Sequence, residues 1–297
     1  MNILITGASG LIGRELSRTL AEHGHNIFAL RRKSWQIPPY WDIERGIIEL
    51  GSCGPPDAVI NLAGENIAAG RWTAERKQRM LRSRIASTRL LTEFFAQAEQ
   101  KPKVLISASA VGIYGDRGDE ELTERSHSGA GFLAELGQAW EAATEPAAAA
   151  GIRVVNARFG IVLSPQGGAL ATMLPPFRMG LGGCLGSGRQ WLSWISLREL
   201  PMIIAHLLQH EELSGPVNLT APQPVSNRDF TETLAHVLRR PAFLPAPVFL
   251  LKLLFGEMAE DLLLASAKVR PGRLLDSGYV FKFPELDAAL RHLLLPA

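Results

Sequence analysis

Residues 2 to 13 constrain this chain more than any others. Asn2-Ile3-Leu4-Ile5-Thr6 is an apolar run of the length of one buried strand, and it stops at Gly7. Gly7, Gly10 and Gly13 then recur every third residue. From Leu11 to His23 the apolar residues Leu11, Ile12, Leu16 and Leu20 fall on one helical face, and Gly24 ends the pattern. Ile27-Phe28-Ala29-Leu30 is a second short apolar run. A strand, a G-x-x-G-x-x-G loop that opens a helix, and a second strand make a βαβ unit. In such a loop the first glycine permits the tight turn. The second lets a ligand approach the backbone, and the third lets the helix pack close to the strand. Backbone N–H groups and the helix dipole then face outward together, which suits a pyrophosphate. The spacing therefore predicts that Gly7, Ser9, Gly10, Leu11, Ile12 and Gly13 hold the pyrophosphate of a dinucleotide.

The alternation continues. Ala58–Leu62, Val104–Ser107 and Arg153–Ala157 read as buried strands. Between them, Thr73–Gln97 and Phe132–Ala149 read as helices, the first capped by Thr73, with Leu81, Ile85, Leu90, Leu91 and Phe94 as its apolar stripe. Strands apolar throughout and separated by helices predict a parallel sheet covered on both faces. After Leu163 the texture changes. Glycine and proline crowd residues 167–188, and the predicted helices Ser196–Gln209, Ser226–Arg239 and Pro284–Leu295 mix with short strands such as Val217–Leu219. The expectation is an α/β chain: a Rossmann-type doubly wound parallel sheet over residues 1–165, and a smaller C-terminal α+β substrate lobe over 166–297 with segments free to return to the sheet.

The end of the second strand bears on the cofactor. A carboxylate there binds the ribose 2′-hydroxyl of NAD, whereas this chain has Arg31-Arg32-Lys33. Cations in that place suit a 2′-phosphate, so NADP(H) is expected, with Arg31 and Arg32 as contacts. A net charge of +2 is too weak a field to argue for nucleic acid. Two cysteines, Cys53 and Cys184, form no disulfide framework, and the histidines show no ligand spacing, so no metal is expected. The N-terminus has no positive n-region and no cleavage site, and Asn2–Thr6 already reads as a strand, so no signal peptide is expected and the cytoplasm is the expected location. Residues Phe243–Phe255 are the most apolar stretch, cut by Pro245 and Pro247; a buried or amphipathic helix is expected there rather than a membrane contact. The sequence sets no oligomeric state.

These motifs resemble a known family. The glycine loop, Asn61-Leu62-Ala63-Gly64 after one strand and Ser107-Ala108-Ser109 after the next look like the extended short-chain dehydrogenase/reductases, which include NAD-dependent epimerases and dehydratases. Glu65-Asn66-Ile67, Gly70-Arg71-Trp72, Ser83-Arg84, Tyr114-Gly115-Asp116, Leu174-Pro175-Pro176-Phe177-Arg178 and Gly186-Ser187-Gly188-Arg189-Gln190 are similar to the atypical, YfcH-like epimerase subgroup of that family. The resemblance covers nearly the whole chain. It implies cofactor contacts from Leu62 and Ala63 near the adenosine ribose, with Gly64 and Ser107 beside them, from Arg84 on the long helix, and from Val162 near the nicotinamide.

The same comparison exposes a gap. Members of the family that move hydride use a Ser/Thr, with a Tyr and Lys spaced Y-x-x-x-K on the next helix; the lysine lowers the tyrosine pKa. Ser109 can fill the first role, ahead of Ser107. Phe132 and Leu136, or in a shifted register Leu133 and Gly137, stand where the other two belong, and residues 129–141 contain neither tyrosine nor lysine. Tyr114 is a candidate for a displaced acid/base, against a packing tyrosine at a Tyr-Gly turn, and Glu65 is expected to face the same cleft. Arg178 and Arg189 lie where sugar-nucleotide epimerases hold a diphosphate, so an anionic or nucleotide-linked small molecule is the expected substrate, with Trp191 and Trp194 read as core. Two functions stay open: an NADP(H)-dependent epimerase or reductase with a non-standard acid/base set, and a catalytically silent NADP(H)-binding sensor or scaffold.

Overall fold

The apolar runs at residues 3–6, 58–61 and 104–109 become central strands of one sheet, each buried on both faces. The computed structural model describes residues 1–32 and 37–295, so Lys33 lies outside the described residues. Along the chain come β1 (Asn2–Thr6), α1 (Leu11–Glu22), β2 (Asn26–Arg32), β3 (Tyr40–Asp42), β4 (Ile47–Glu49), β5 (Ala58–Asn61), α2 (Ala74–Ala96) and β6 (Val104–Ala110). Then follow β7 (Glu121–Leu122), α3 (Phe132–Ala142), α4 (Glu145–Ala149), β8 (Arg153–Phe159), β9 (Ile161–Leu163) and α5 (Gly168–Arg178). The remainder comprises β10 (Trp191–Leu192), β11 (Trp194–Ser196), α6 (Leu200–Gln209), β12 (Gly215–Leu219), β13 (Val225–Ser226), α7 (Asn227–Leu238), α8 (Val248–Phe255), β14 (Lys268–Val269), α9 (Gly272–Asp276) and α10 (Leu286–Leu294).

Eight strands form the central sheet in the order β12-β8-β6-β5-β1-β2-β3-β4, all pairs parallel except β3 with β4. This is a Rossmann-type order, and it reverses between β1 and β5. The crevice outside the carboxyl ends of those two strands is where such sheets bind ligands. In register, Thr6 stands opposite Leu30 of β2 and Asn61 of β5, so Arg31 and Arg32 continue past the end of β1 at the level of the crevice.

One core lies under α1 and α6, joining Ile3, Ile5, Leu16 and Leu20 to Leu200, Ile203 and Ile204. The other face of the sheet buries Leu4, Val59, Leu91, Phe95 and Leu105 under α2. A separate core of Leu174, Phe177, Trp194, Phe230, Leu234 and Leu290 unites α5, α7 and α10. Two segments from beyond Leu163 belong to the sheet layer: β12 at its edge and α6 against α1. Glu199, at the start of α6, is fully buried and accepts from the Tyr279 hydroxyl (2.6 Å) and from the backbone N–H groups of Lys282 (3.1 Å) and Phe283 (2.8 Å).

Several expected elements are corrected. The helix expected over Phe132–Ala149 breaks into α3 and α4 around Thr144, where Pro146 lacks the N–H to continue the ladder. Residues 194–196 form a strand paired with β9, and α6 begins only at Leu200, with Pro201 in its first turn. On α2, Leu81, Ile85, Leu90 and Phe94 are only half-buried; the deep stripe is Met80, Arg84, Ser87, Thr88, Leu91, Thr92 and Phe95, whose polar members serve a buried network. Thr73 caps α2 as expected, accepting from the Arg76 N–H at 3.2 Å. The apolar run 243–255 supplies α8, but only Leu251 of that helix is buried.

Candidate cofactor and active site

The glycine loop is built so that side chains would obstruct it. Gly7 has φ of 66°, and a Cβ there would lie 2.8 Å from the Leu62 carbonyl oxygen. A Cβ on Gly13 would overlap the Gly7 carbonyl oxygen and stand 2.7 Å from the Ala8 Cα. Gly10 donates to the Gly7 carbonyl (2.9 Å) and caps α1 with extended backbone and no side chain. The first turn of α1 has neither a side-chain cap nor a carboxylate. Its free N–H groups, with Ser9 and Gly10 exposed beside them, fit a phosphate group. Gly167 brings α5 against Leu11: a Cβ there would sit 3.6 Å from both Leu11 Cδ atoms. Val162, half-buried, pairs with Ile195, and its carbonyl lies beside Gly168.

Polar residues beneath the crevice lock its strands together. The Thr6 hydroxyl donates to Asn61 Oδ1 (2.7 Å) and accepts from the Leu62 and Ala63 N–H groups (3.1 and 3.2 Å). Asn61 Nδ2 donates to Thr88 (2.8 Å) and Ser107 (3.2 Å), and Trp140 Nε1 donates to Thr88 (3.0 Å). The network ties β1, β5, β6, α2 and α3 and holds the Leu62–Ala63 backbone over Gly7. Ser107, expected as a contact, has its hydroxyl wholly inside this network. The linking roles of Thr6, Asn61 and Thr88 were not expected; the available signal was a polar residue closing each of two apolar strands, Thr6 and Asn61, while Thr88 on α2 gave none.

Arg84 is 8% exposed and packs on Gly64, where a Cβ would meet its guanidinium carbon at 3.2 Å. It donates to the carbonyls of Glu65 (2.8 Å) and Met80 (3.3 Å) and lies 4.9 Å over the Trp140 ring, while its Nε has no partner among the described residues. Burial outweighs the attraction of Glu65 and brings its pKa down to about 10. The Glu65 carboxylate is half-exposed, 3.8 Å from Arg79.

The acid/base side differs from the hydride-transferring pattern. Phe132 and Leu136 are buried with Trp72, Met80 and Met258, and the Phe132 and Trp72 rings meet edge-on at 5.2 Å. In the shifted register, Leu133 packs on Gly112 and Gly137 on Ile113, where a Cβ would come within 2.9 Å. Both registers are apolar and close-packed, so α3 offers no proton carrier in either. The Ser109 hydroxyl is 2% exposed and donates to Glu141 Oε1 (2.7 Å). Arg158 clamps that carboxylate with two bonds of 2.7 and 2.8 Å. Arg158 also donates to the Tyr114 hydroxyl (2.8 Å), which donates to Asn218 Oδ1 (2.8 Å). Burial opposes the charge on Arg158, but the bonds to Glu141 and Tyr114 raise its pKa overall. Tyr114 is fully buried with both partners supplied, and burial pushes its phenol above the usual value. Arg178 and Arg189 are exposed, at the end of α5 and in the following loop. Trp194 is core as expected, whereas Trp191 is half-buried and bonds Asp119 through Nε1.

Residues 3–219 match the model of the NAD dependent epimerase/dehydratase family. The chain belongs to that family. Residues 246–293 match a second model, described as a domain of unknown function (DUF1731). Among relatives, epimerase family protein Mb2239 of Mycobacterium bovis is 41% identical, covering 97% of this chain and 96% of its own. Epimerase family protein SDR39U1 of Homo sapiens is 37% identical over 99% of both. A crystal structure of the human protein (isoform 2) with NADPH matches at a TM-score of 0.90, with 36% identity and 99% of each chain covered. A Corynebacterium glutamicum structure described as a nucleoside-diphosphate sugar epimerase matches at 0.78 and 35% identity, over 98% of this chain and 57% of that one. Among the described residues no helix is long and apolar enough to cross a membrane, and no three His, Cys, Asp or Glu side chains are grouped to hold a metal.

Proposed function

We propose that this chain binds NADP(H) across the carboxyl ends of β1, β2 and β5 and acts as a reductase or epimerase on a carbonyl or nucleotide-linked substrate, with a proton donor other than a Tyr/Lys pair. The observation that carries the reading is the uncapped, carboxylate-free start of α1 behind Gly7 and Gly13, two positions where a methyl group would strike backbone. A bound nicotinamide supplies or accepts hydride. Gly7, Ser9, Gly10, Leu11, Ile12 and Gly13 would hold its pyrophosphate, Leu62, Ala63 and Gly64 the adenosine side, and Arg84 would lend buried positive charge from below. Val162, between the amino ends of α1 and α5, is assigned to the nicotinamide end. Arg31 and Arg32 would select the 2′-phosphate, and Arg178 and Arg189 an anionic substrate. The NADPH carried by the human relative's crystal structure supports the cofactor choice.

A second reading, a binding protein that does not turn over, is favoured by one arrangement. The only hydrogen of the Ser109 hydroxyl is committed to Glu141, and both α3 registers are apolar. Calorimetry tests the cofactor. NADPH is expected to bind at least tenfold more tightly than NADH, and the preference is lost in Arg31→Ala/Arg32→Ala, about 1.4 kcal/mol; equal affinities in the parent refute the 2′-phosphate argument. Nicotinamide absorbance across a panel of carbonyl compounds separates the two readings. Net oxidation of NADPH supports a reductase, inversion of a sugar-nucleotide stereocentre without net oxidation supports an epimerase, and tight binding with neither supports the silent protein.

A further inference from the structure

The helix α8 is apolar on the side that faces water. Phe249 is 72% exposed and Leu253 68%, and Leu250 and Leu254 complete the same 140° arc, while Leu251 and Phe255 on the opposite side pack inward. The chain leading into α8 extends the surface. Its Leu244 and Ala246 donate to the carbonyls of Gly182 and Cys184, which zips residues 243–247 to the strip that leaves α5. Phe243, Leu244, Met179 and Leu181 on these two strips are 46% to 70% exposed. With about 200 Å² for a fully free large apolar side chain, the eight residues present roughly 900 Å² of apolar surface. A soluble monomer rarely carries a patch beyond ~600 Å². A standard stable interface takes about 800 Å² from each partner.

We propose that this face is covered by a second copy of the same chain, through a twofold contact in which α8 of one protomer packs against α8 of its partner. The area suits it. The chemistry does too: the one charge on α8, Lys252, is bonded to Glu260 of its own chain at 2.5 Å, so closing the face leaves that cation with its counter-ion. A twofold axis also requires a patch that complements itself, and a helix lined with Phe and Leu at a four-residue spacing can interdigitate with its own copy. Arg178, Arg239 and Arg240 stand exposed at the border, where an anionic lipid surface would be the rival occupant.

Sedimentation velocity and light scattering on the full chain decide between them. The parent is expected to be a dimer at micromolar concentration. Phe249→Ser/Leu253→Ser should raise the dissociation constant at least a hundredfold, while circular dichroism and NADPH affinity stay at parental values. A second variant, Phe243→Ser, reports the same surface from outside the helix and should weaken the dimer by a smaller factor. A parent that is monomeric at every concentration overturns the proposal, as does a dimer that both variants leave intact. Flotation of a monomeric parent with phosphatidylserine vesicles, abolished in the double variant, also overturns it and assigns the face to lipid.

Discussion

Replacing Gly13 and Gly10 by alanine, one at a time, separates the loop's two tasks. At Gly13 the new methyl overlaps the Gly7 carbonyl oxygen and lies 2.7 Å from the Ala8 Cα. Both are backbone atoms of the turn itself, so no rotamer change relieves the contact and α1 must move off β1. Overpacking of this kind costs about 1–3 kcal/mol, and at ~2–4 °C per kcal/mol it lowers Tm by roughly 2–12 °C. At Gly10 the nearest atom to the added methyl is the Gly7 carbonyl oxygen at 3.2 Å, and φ is an ordinary −73°. Stability should fall by no more than ~1 kcal/mol, the cost of alanine at a helix cap. The methyl would nonetheless stand where phosphate oxygens approach the N–H groups, so NADPH affinity should drop at least tenfold, or 1.4 kcal/mol. Differential scanning fluorimetry gives the first quantity and calorimetry the second. A Gly13→Ala protein with parental Tm, or a Gly10→Ala protein with parental affinity, refutes the division of labour.

Glu141→Gln leaves Arg158 buried without its counter-ion and should destabilise the fold by about 3 kcal/mol in urea titration, with Arg158→Met in the same chain restoring part of the loss. Arg84→Met removes the bonds to the Glu65 and Met80 carbonyls; a cost of about 1–3 kcal/mol is expected, with faster amide exchange over residues 64–67. Tyr114 and Tyr279 both hold their protons more tightly in the folded chain than in the unfolded one, through burial and, for Tyr279, the Glu199 carboxylate. The unfolded chain therefore binds fewer protons above its tyrosine pKa of about 10, so stability is intact below that pH and declines above it. Tyr114→Phe should lower stability at neutral pH and flatten the alkaline decline. An unchanged alkaline slope would show that Tyr114 binds its proton equally in the folded and unfolded chain and would refute the argument.

The sheet and its switch point were legible because both rest on local rules: apolar runs for buried strands, and glycines where a Cβ cannot fit. The cap on α2 was legible for the same reason, since Thr73 needs only the N–H three residues on. What the sequence concealed was longer in range. The inner stripe of α2 looks polar in sequence because Arg84, Thr88 and Thr92 find partners on α3, on β5 and in the turn after β5, at separations that no periodicity reports. The link from Ser109 through Glu141 and Arg158 to Tyr114 and Asn218 spans four elements, and it removes two hydroxyls from the surface that their positions in sequence seemed to offer. The helix over residues 248–255 showed its hydrophobicity in sequence, but nothing local reveals which way an apolar face points.

Glu199 ties the tail to the sheet layer. The three donors that its carboxylate accepts from all lie between residues 279 and 283, inside the stretch matched by the second family model, whereas Glu199 itself lies inside the first. A chain cut near residue 246 would keep every strand of the central sheet yet take all three of these donors from Glu199, so the amino-terminal portion is expected to be less stable than the full chain, with a lower urea midpoint.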